Sequence, residues 1–180
     1  MPRRHPIPVL WLMTDERMGD GLWRAVWRLP RGAGIVFRHH ATPLAERRRL
    51  FARLLRIARV RGLVLVRAGM VAMRGEMGVH GHRVGGLVTW PVHDRREAAM
   101  ARRVRADVAF VSPVFVTRTH PGASALGPRG ATMVARGLPM VLIGLGGMDA
   151  RRFARVRGFD GWAAIDAWLE PLRGQHLPPR

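Results

Sequence analysis

The chain has no cysteine, so disulfides, a thiolate nucleophile and thiolate metal sites are excluded, and the redox compartment stays open. Lysine is missing too: all 31 basic residues are arginine, which rules out Schiff-base chemistry on a lysine. Acidic residues are sparse, 12 against those 31, leaving a formal charge of +19. No apolar run approaches the roughly 20 residues that cross a bilayer. The opening Met1-Pro2-Arg3-Arg4-His5-Pro6 leads into a β-like segment rather than the apolar core of a signal peptide. These features describe a soluble, cytoplasmic protein with no membrane partner.

What the chain does have is 180 residues at 48% hydrophobic content, enough for one well-buried domain spanning 1–180. The simpler account of the arginine excess is biased codon usage that puts arginine on solvated helix faces; the sharper one is a field that attracts phosphorylated ligands or nucleic acid. Arg47, Arg48, Arg49, Arg53, Arg56, Arg59 and Arg61 spread around one helix instead of forming an aromatic-interleaved stripe. That distribution favours the simpler account and disfavours nucleic acid as a partner.

Eight apolar strand-like runs recur with helix-like segments between them: Val9 to Met13, Gly34 to Phe37, Leu63 to Val66, Met77 to Val79, Leu87 to Trp90, Val108 to Ser112, Met140 to Leu145 and Trp162 to Ile165. Repeated βα units with eight strands predict a compact (β/α)₈ TIM barrel, short against the usual size of about 250 residues. The clearest helix is Pro43 to Arg59, with Thr42 placed to cap it and Leu44, Leu50, Leu54, Leu55 and Ala58 as its apolar stripe. Asp94 to Arg103 and Asp149 to Arg157 are further helices that start on aspartate. The fourth unit is abbreviated, because Gly81 to Gly86 leaves no length for a helix before the fifth strand.

Two strand-to-loop junctions carry chemistry. Val108 to Ser112 runs into Pro113-Val114-Phe115-Val116-Thr117-Arg118-Thr119-His120-Pro121-Gly122, where hydroxyls, a cation and an imidazole follow a buried strand. Met140 to Leu145 runs into Gly146-Gly147, whose backbone N–H groups can approach a phosphate. Thr117 and Thr119, two apart, can both aim a hydroxyl at one oxyanion; taken alone, two threonines in a loop are satisfied by local hydrogen bonds.

These residues resemble the thiamine-phosphate synthase and thiazole tautomerase superfamily. Its G-P-x-F-x-T-x-T-K-P-G pattern is matched at Pro113, Phe115, Thr117, Thr119, Pro121 and Gly122, and its I-G-G-I at Gly146 and Gly147. Leu10-Trp11-Leu12-Met13-Thr14-Asp15 is similar to the opening L-x-x-V-T-D, Gly78-Val79-His80 to G-V-H, and Gly158-Phe159-Asp160-Gly161-Trp162-Ala163-Ala164-Ile165 to G-A-D-G-V-A-V-V.

The resemblance implies a transferase that joins an aminopyrimidine diphosphate to a thiazole phosphate with Mg²⁺, giving thiamine phosphate. It assigns the acceptor phosphate to Thr117, Thr119, Gly146 and Gly147, and the leaving diphosphate to Arg38, His40 and His120. The last two stand where the family has lysines, while Val36 stands where it has glutamine. Ser112 and His93, the latter in the place of the family's S-x-H histidine, would touch substrate; capping beside Asp94 is the plainer role for His93, and a solvated loop for His39 and His40.

The metal positions match worst. The family's N-D falls at Val66-Arg67-Ala68, and Gly81-His82-Arg83 lacks the acidic residue expected after G-V-H. No metal ligand is therefore assigned, with Mg²⁺ expected only if the family reaction is retained. His80, His82 and His93 have no metal-motif spacing. The tautomerase histidine position is Pro113, and the family's closing serine is Asp166, a carboxylate that repels phosphate unless it pairs with arginine.

The expectation is a divergent thiamine-phosphate synthase-like protein that takes a small phosphorylated ligand, with enzyme activity left open. The alternative is a non-catalytic phosphate-binding or regulatory barrel that has lost its metal site.

Overall fold

A computed structural model of the protein describes residues 6–83, 85–117 and 124–169. Eight parallel strands, β1 (Leu10–Met13), β2 (Gly34–Phe37), β3 (Val64–Ala68), β4 (Gly78–His80), β5 (Leu87–Val92), β6 (Val108–Val111), β7 (Val141–Leu145) and β8 (Gly161–Ala164), pair in chain order. β8 returns to β1 through Leu10 with Trp162 and Leu12 with Ala164, which closes the barrel.

Strand alternation sorts the side chains into two layers. Trp11, Met13, Val36, Val64, Val66, Ala68, Val108, Phe110, Ile143 and Ala163 fill the barrel interior. Their neighbours Leu12, Ile35, Phe37, Leu65, Val79, Val88, Val111 and Trp162 face the helices. The interior is organised around Trp11, whose Nε1–H donates to Pro8 O at 2.8 Å and whose ring meets Phe110 edge-on with centroids 5.3 Å apart. Gly34, paired with Trp11 across β1 and β2, makes room for it: a Cβ there would lie 2.2 Å from the indole.

The helices are α1 (Gly21–Arg28), α2 (Leu44–Arg61), α3 (Arg95–Arg103), α4 (Gly127–Ala135), α5 (Ala150–Phe153) and α6 (Asp166–Leu169), with a 3₁₀ turn at Glu16–Met18. As expected, no helix lies among the described residues between β4 and β5. The third unit, for which the sequence suggests no abbreviation, also has none: residues 69–77 cross from β3 to β4 as a loop. That second economy explains how a barrel closes in so short a chain. Arg67, with the outward parity of Leu65, takes part of the missing helix's place: its Nε–H donates to Glu76 and its Nη1 reaches Gly69 O and, at 2.8 Å, His82 Nε2.

Three local expectations are corrected. Thr42 does not cap α2; the N-cap is Pro43, without a side-chain cap bond. Leu44 is exposed, and the buried stripe of α2 runs through Arg47, Phe51, Leu54, Leu55 and Ala58. The helix expected from Asp149 to Arg157 shortens to the single turn α5, which Asp149 does cap through Arg152 N–H.

The arginines also differ from the expectation of solvated faces. Arg47 is 5% exposed, donates to Ala68 O at 2.7 Å and lies over the Phe37 ring. Arg61 donates to Trp27 O and Leu29 O at the end of α1, and Arg28 to Trp168 O and Leu169 O at the end of α6. A planar fork suits this work better than an ammonium, because two N–H groups can meet the unpaired carbonyls that close a helix.

Candidate functional site

The inward parity continues past the strand ends and lines a cavity at the carboxyl face of the barrel, where ligand sites of this fold lie. Met13, Arg38, His80, Pro91, Phe110, Ser112, Leu145 and Ile165 form its walls, with His93, Pro113, Thr117 and Gly146 around them; its volume is about 370 Å³. A smaller adjoining recess brings Thr117, Gly146 and Gly147 together with Met148 and Asp166. Arg38, His93, Ser112, Thr117 and Gly146, separated by up to 108 positions in sequence, thus share one cavity, and Gly147 joins through the recess. Thr119 and His120 lie outside the described residues.

The β6 and β7 loops are bound into one unit. Val114 N–H donates to Leu145 O at 2.8 Å and Phe115 N–H to Gly146 O at 3.0 Å. Gly146 and Gly147 have φ of 94° and 59°, and added Cβ atoms would stand 2.8 Å from Pro113 and 2.7 Å from Val116 O. Glycine is therefore required at both positions by backbone conformation and by the neighbouring loop. Arg152 donates to Gly147 O and stacks over Phe115, tying the pair from outside.

Arg38 is held as it enters the cavity. Its backbone N–H donates to Thr14 Oγ1, its Nε–H to Thr14 O, both at 3.0 Å, and its Nη2 reaches Asp15 Oδ2 at 3.3 Å. Asp15 also takes Arg17 in two bonds of 2.7 Å, and these hydrogen bonds hold its carboxyl at about 2. Arg17 is in turn raised by Asp15 first and by Asp166 as well, so the carboxylate at the family's serine position has an arginine within electrostatic reach.

The three other histidines of interest are placed differently. His40 stands outside the cavity lining, its ring against Gly69 beside Arg47, and burial followed by Arg47 lowers its pKa. His39 is not in a solvated loop: it is 5% exposed, stacked on Phe37, with Nδ1 3.0 Å from Thr14 Oγ1, and burial lowers its pKa. His93 sits at the cavity rim with Nδ1 2.7 Å from Glu97 Oε2, its own N–H also donating to that oxygen, while Asp94 caps Glu97 N–H. The capping arrangement weighed for His93 is thus present, with the ring at the edge of the cavity.

Sequence reasoning passed over His80 as a site residue. Its ring points into the cavity between Thr89, whose Oγ1 is 2.9 Å from Nδ1, and the edge of Phe110. Burial pushes its pKa down to about 3, so the imidazole is neutral at physiological pH. The signal was available in the parity of β4: with Val79 outward, His80 must face in.

The residues present do not fit a divalent cation. Mg²⁺ asks for carboxylate oxygens. At the β3 end Val66 and Ala68 face inward, Arg67 faces outward, and the nearby Glu76 carboxylate is taken by Arg67 and by Met73 N–H. Among the described residues, no three histidine, aspartate or glutamate side chains converge.

Comparison with known proteins agrees with this geometry. Residues 80–168 match the family described as thiamine monophosphate synthase. No curated protein sequence matches. Among solved structures, thiamine phosphate pyrophosphorylase from Pyrococcus furiosus superposes with a TM-score of 0.75 at 20% identity, covering 91% of this chain and 87% of that one. A KDPGal structure follows at TM-score 0.60 and 13% identity, covering 97% and 89%, and the YdjI aldolase from Escherichia coli K12 at 0.56 and 11%, covering 88% and 75%. At such identities these likenesses establish the barrel fold.

Proposed function

We propose that this chain, whose residues 80–168 match the thiamine monophosphate synthase family, binds a thiazole phosphate or thiamine phosphate in the cavity at the carboxyl face of its barrel. The observation that carries this reading is the convergence of Arg38, Ser112, Thr117 and Gly146 on one cavity that the apolar side chains of Met13, Phe110, Leu145 and Ile165 also line. A phosphorylated aromatic heterocycle needs both: oriented donors for the phosphate and a low-dielectric slot for the ring.

The phosphate would sit where the Thr117 hydroxyl and the Gly146 and Gly147 backbone meet, with Thr119 from the same loop. Arg38 supplies the fixed positive charge across the cavity, and His120 a further donor. Ser112 and His93 would contact the ring, and neutral His80 offers it a hydrogen-bonding nitrogen without a charge. Arg38 and His40 would attend a diphosphate leaving group, although His40, held largely neutral, contributes little charge. The protein would act in the cytoplasm on small phosphorylated ligands.

One observation favours a second reading, that the barrel binds such ligands without turning them over. Arg67, clamped by Glu76 and His82, occupies the segment that holds metal carboxylates in the family pattern, and Asp166 replaces the closing serine. Calorimetry with thiazole phosphate, thiamine phosphate and pyrophosphate, each with and without Mg²⁺, tests the shared part of both readings. Binding of a thiazole or thiamine phosphate independent of Mg²⁺ is expected. No binding of any of the three would refute it. Release of pyrophosphate from an aminopyrimidine diphosphate in the same mixture would decide for the transferase.

A further inference from the structure

The carboxylate of Asp15 lies beside Arg38 at the β1 end, where simple electrostatics gives an anion-binding cavity no use for it. It neither lines the cavity nor belongs to the phosphate loops, and a negative charge beside a phosphate site repels the ligand. Its contacts point elsewhere. Oδ2 receives Arg38 Nη2, and the preceding residue, Thr14, receives Arg38 twice more, through backbone N–H to Oγ1 and through Nε–H to the carbonyl. Thr14 is fully buried and is itself fixed, with its N–H on Val36 O and its hydroxyl on His39 Nδ1. Three bonds from two consecutive residues of the β1 end therefore hold the backbone, the Nε edge and one Nη of a single arginine whose side chain is 24% exposed.

We propose that Asp15, acting with Thr14, is a positioning residue that locks the Arg38 guanidinium toward the cavity so that its remaining N–H groups meet the ligand's phosphate in one orientation. The clasp rests on the reading that the cavity takes a phosphorylated ligand. A free arginine side chain samples many rotamers, and freezing them only on binding costs affinity. A guanidinium already held along its Nε edge avoids most of that loss. Asp15 stays ionised at any working pH because Arg17 grips it from the other side, so the clasp does not open by protonation.

The two roles open to Asp15 predict opposite signs, which makes the test sharp. Asp15→Asn keeps the shape and removes the charge. If Asp15 were only a counter-charge, pyrophosphate and inorganic phosphate would bind more tightly to the variant. As a positioning residue, its loss weakens both ligands by about tenfold, the scale of a hydrogen bond to a charged group. In an Arg38→Ala background the same substitution loses that effect. Arg38→Lys, which retains the charge but not the fork, binds these anions as weakly as Arg38→Ala.

A ligand-free readout separates this proposal from the binding reading beneath it. The Arg38 Nε–H resonance, assigned by its disappearance in Arg38→Lys, is resolved and slow to exchange in the parent protein and joins the rapidly exchanging arginines in Asp15→Asn. Tighter anion binding by Asp15→Asn, full affinity in Arg38→Lys, or an unmoved Nε–H resonance would each overturn the clasp. Failure of the parent to bind pyrophosphate or phosphate removes the ligand site, and the resonance then decides the clasp alone.

Discussion

His80 makes the protein acid-sensitive between pH 6.5 and about 3. In the fold its imidazole is buried against Phe110 and Thr89, and its pKa falls from 6.5 to about 3. Unfolding restores the ordinary value, so the unfolded chain takes up a proton that the folded chain refuses. The stability held by the neutral ring is thus complete above pH 6.5 and drains away as pH falls toward 3, at about 1.4 kcal/mol per pH unit. Between pH 7 and pH 4 the loss comes to about 3 kcal/mol, a large share of an ordinary domain's stability. Asp15, with its carboxyl at about 2, sheds its contribution only below the usual carboxylate range and so adds little to this loss. His39 and His40 are also lowered by burial, so the comparison must be between proteins that share them. His80→Asn provides it: the amide can still donate to Thr89 near the Nδ1 position but cannot ionise. Urea unfolding at pH 7 and at pH 4 is expected to show the parent losing about 3 kcal/mol more than His80→Asn between the two conditions. Equal losses in the two proteins, or an imidazole signal for His80 that titrates near 6.5, would refute the argument.

Three further outcomes follow from packing and charge. Gly34→Ala drives a methyl to 2.2 Å from the Trp11 ring, which is itself pinned to Pro8; a drop of about 3 kcal/mol in urea unfolding, with loss of the Trp11 near-ultraviolet signal, is expected. Glu76→Gln leaves the Arg67 guanidinium, 3% exposed, without its counter-charge, and lowers stability by about 3 kcal/mol in the same assay while hardly changing the calorimetric affinity for thiazole phosphate. Gly147→Ala forces an L side chain into a φ of 59° against Val116 O, so the β6 and β7 loops separate, and calorimetry should find thiazole phosphate affinity down by at least tenfold with most of the barrel's stability kept.

Runs of apolar residues located the eight strands to within a residue or two, because a strand buried on both faces reads as an uninterrupted apolar run wherever it stands. Gly146 and Gly147 announced a tight loop after β7 for a similarly local reason: positive φ and close approach leave glycine alone able to stand there. The short glycine-rich segment after β4 could not hold a helix, and it does not. The missing helix after β3 went unread, although residues 69–77 are fewer than the dozen or so a crossover normally needs and include Gly69 and Gly75; Arg67, turned outward onto Glu76 and Gly69, shows what replaces it. The fate of the arginines was hidden too. Whether Arg47 is solvated or buried depends on a carbonyl 21 residues away and a ring across β2, which no periodicity in the helix encodes. The same holds for the candidate site. Residue types nominated Arg38, Thr117 and the glycine pair, but the clasp of Thr14 and Asp15 around Arg38 and the entry of a neutral His80 into the cavity arise from neighbouring strands. Closing the barrel sets which strand ends face one another, and only then do these groups acquire their partners and their charge states.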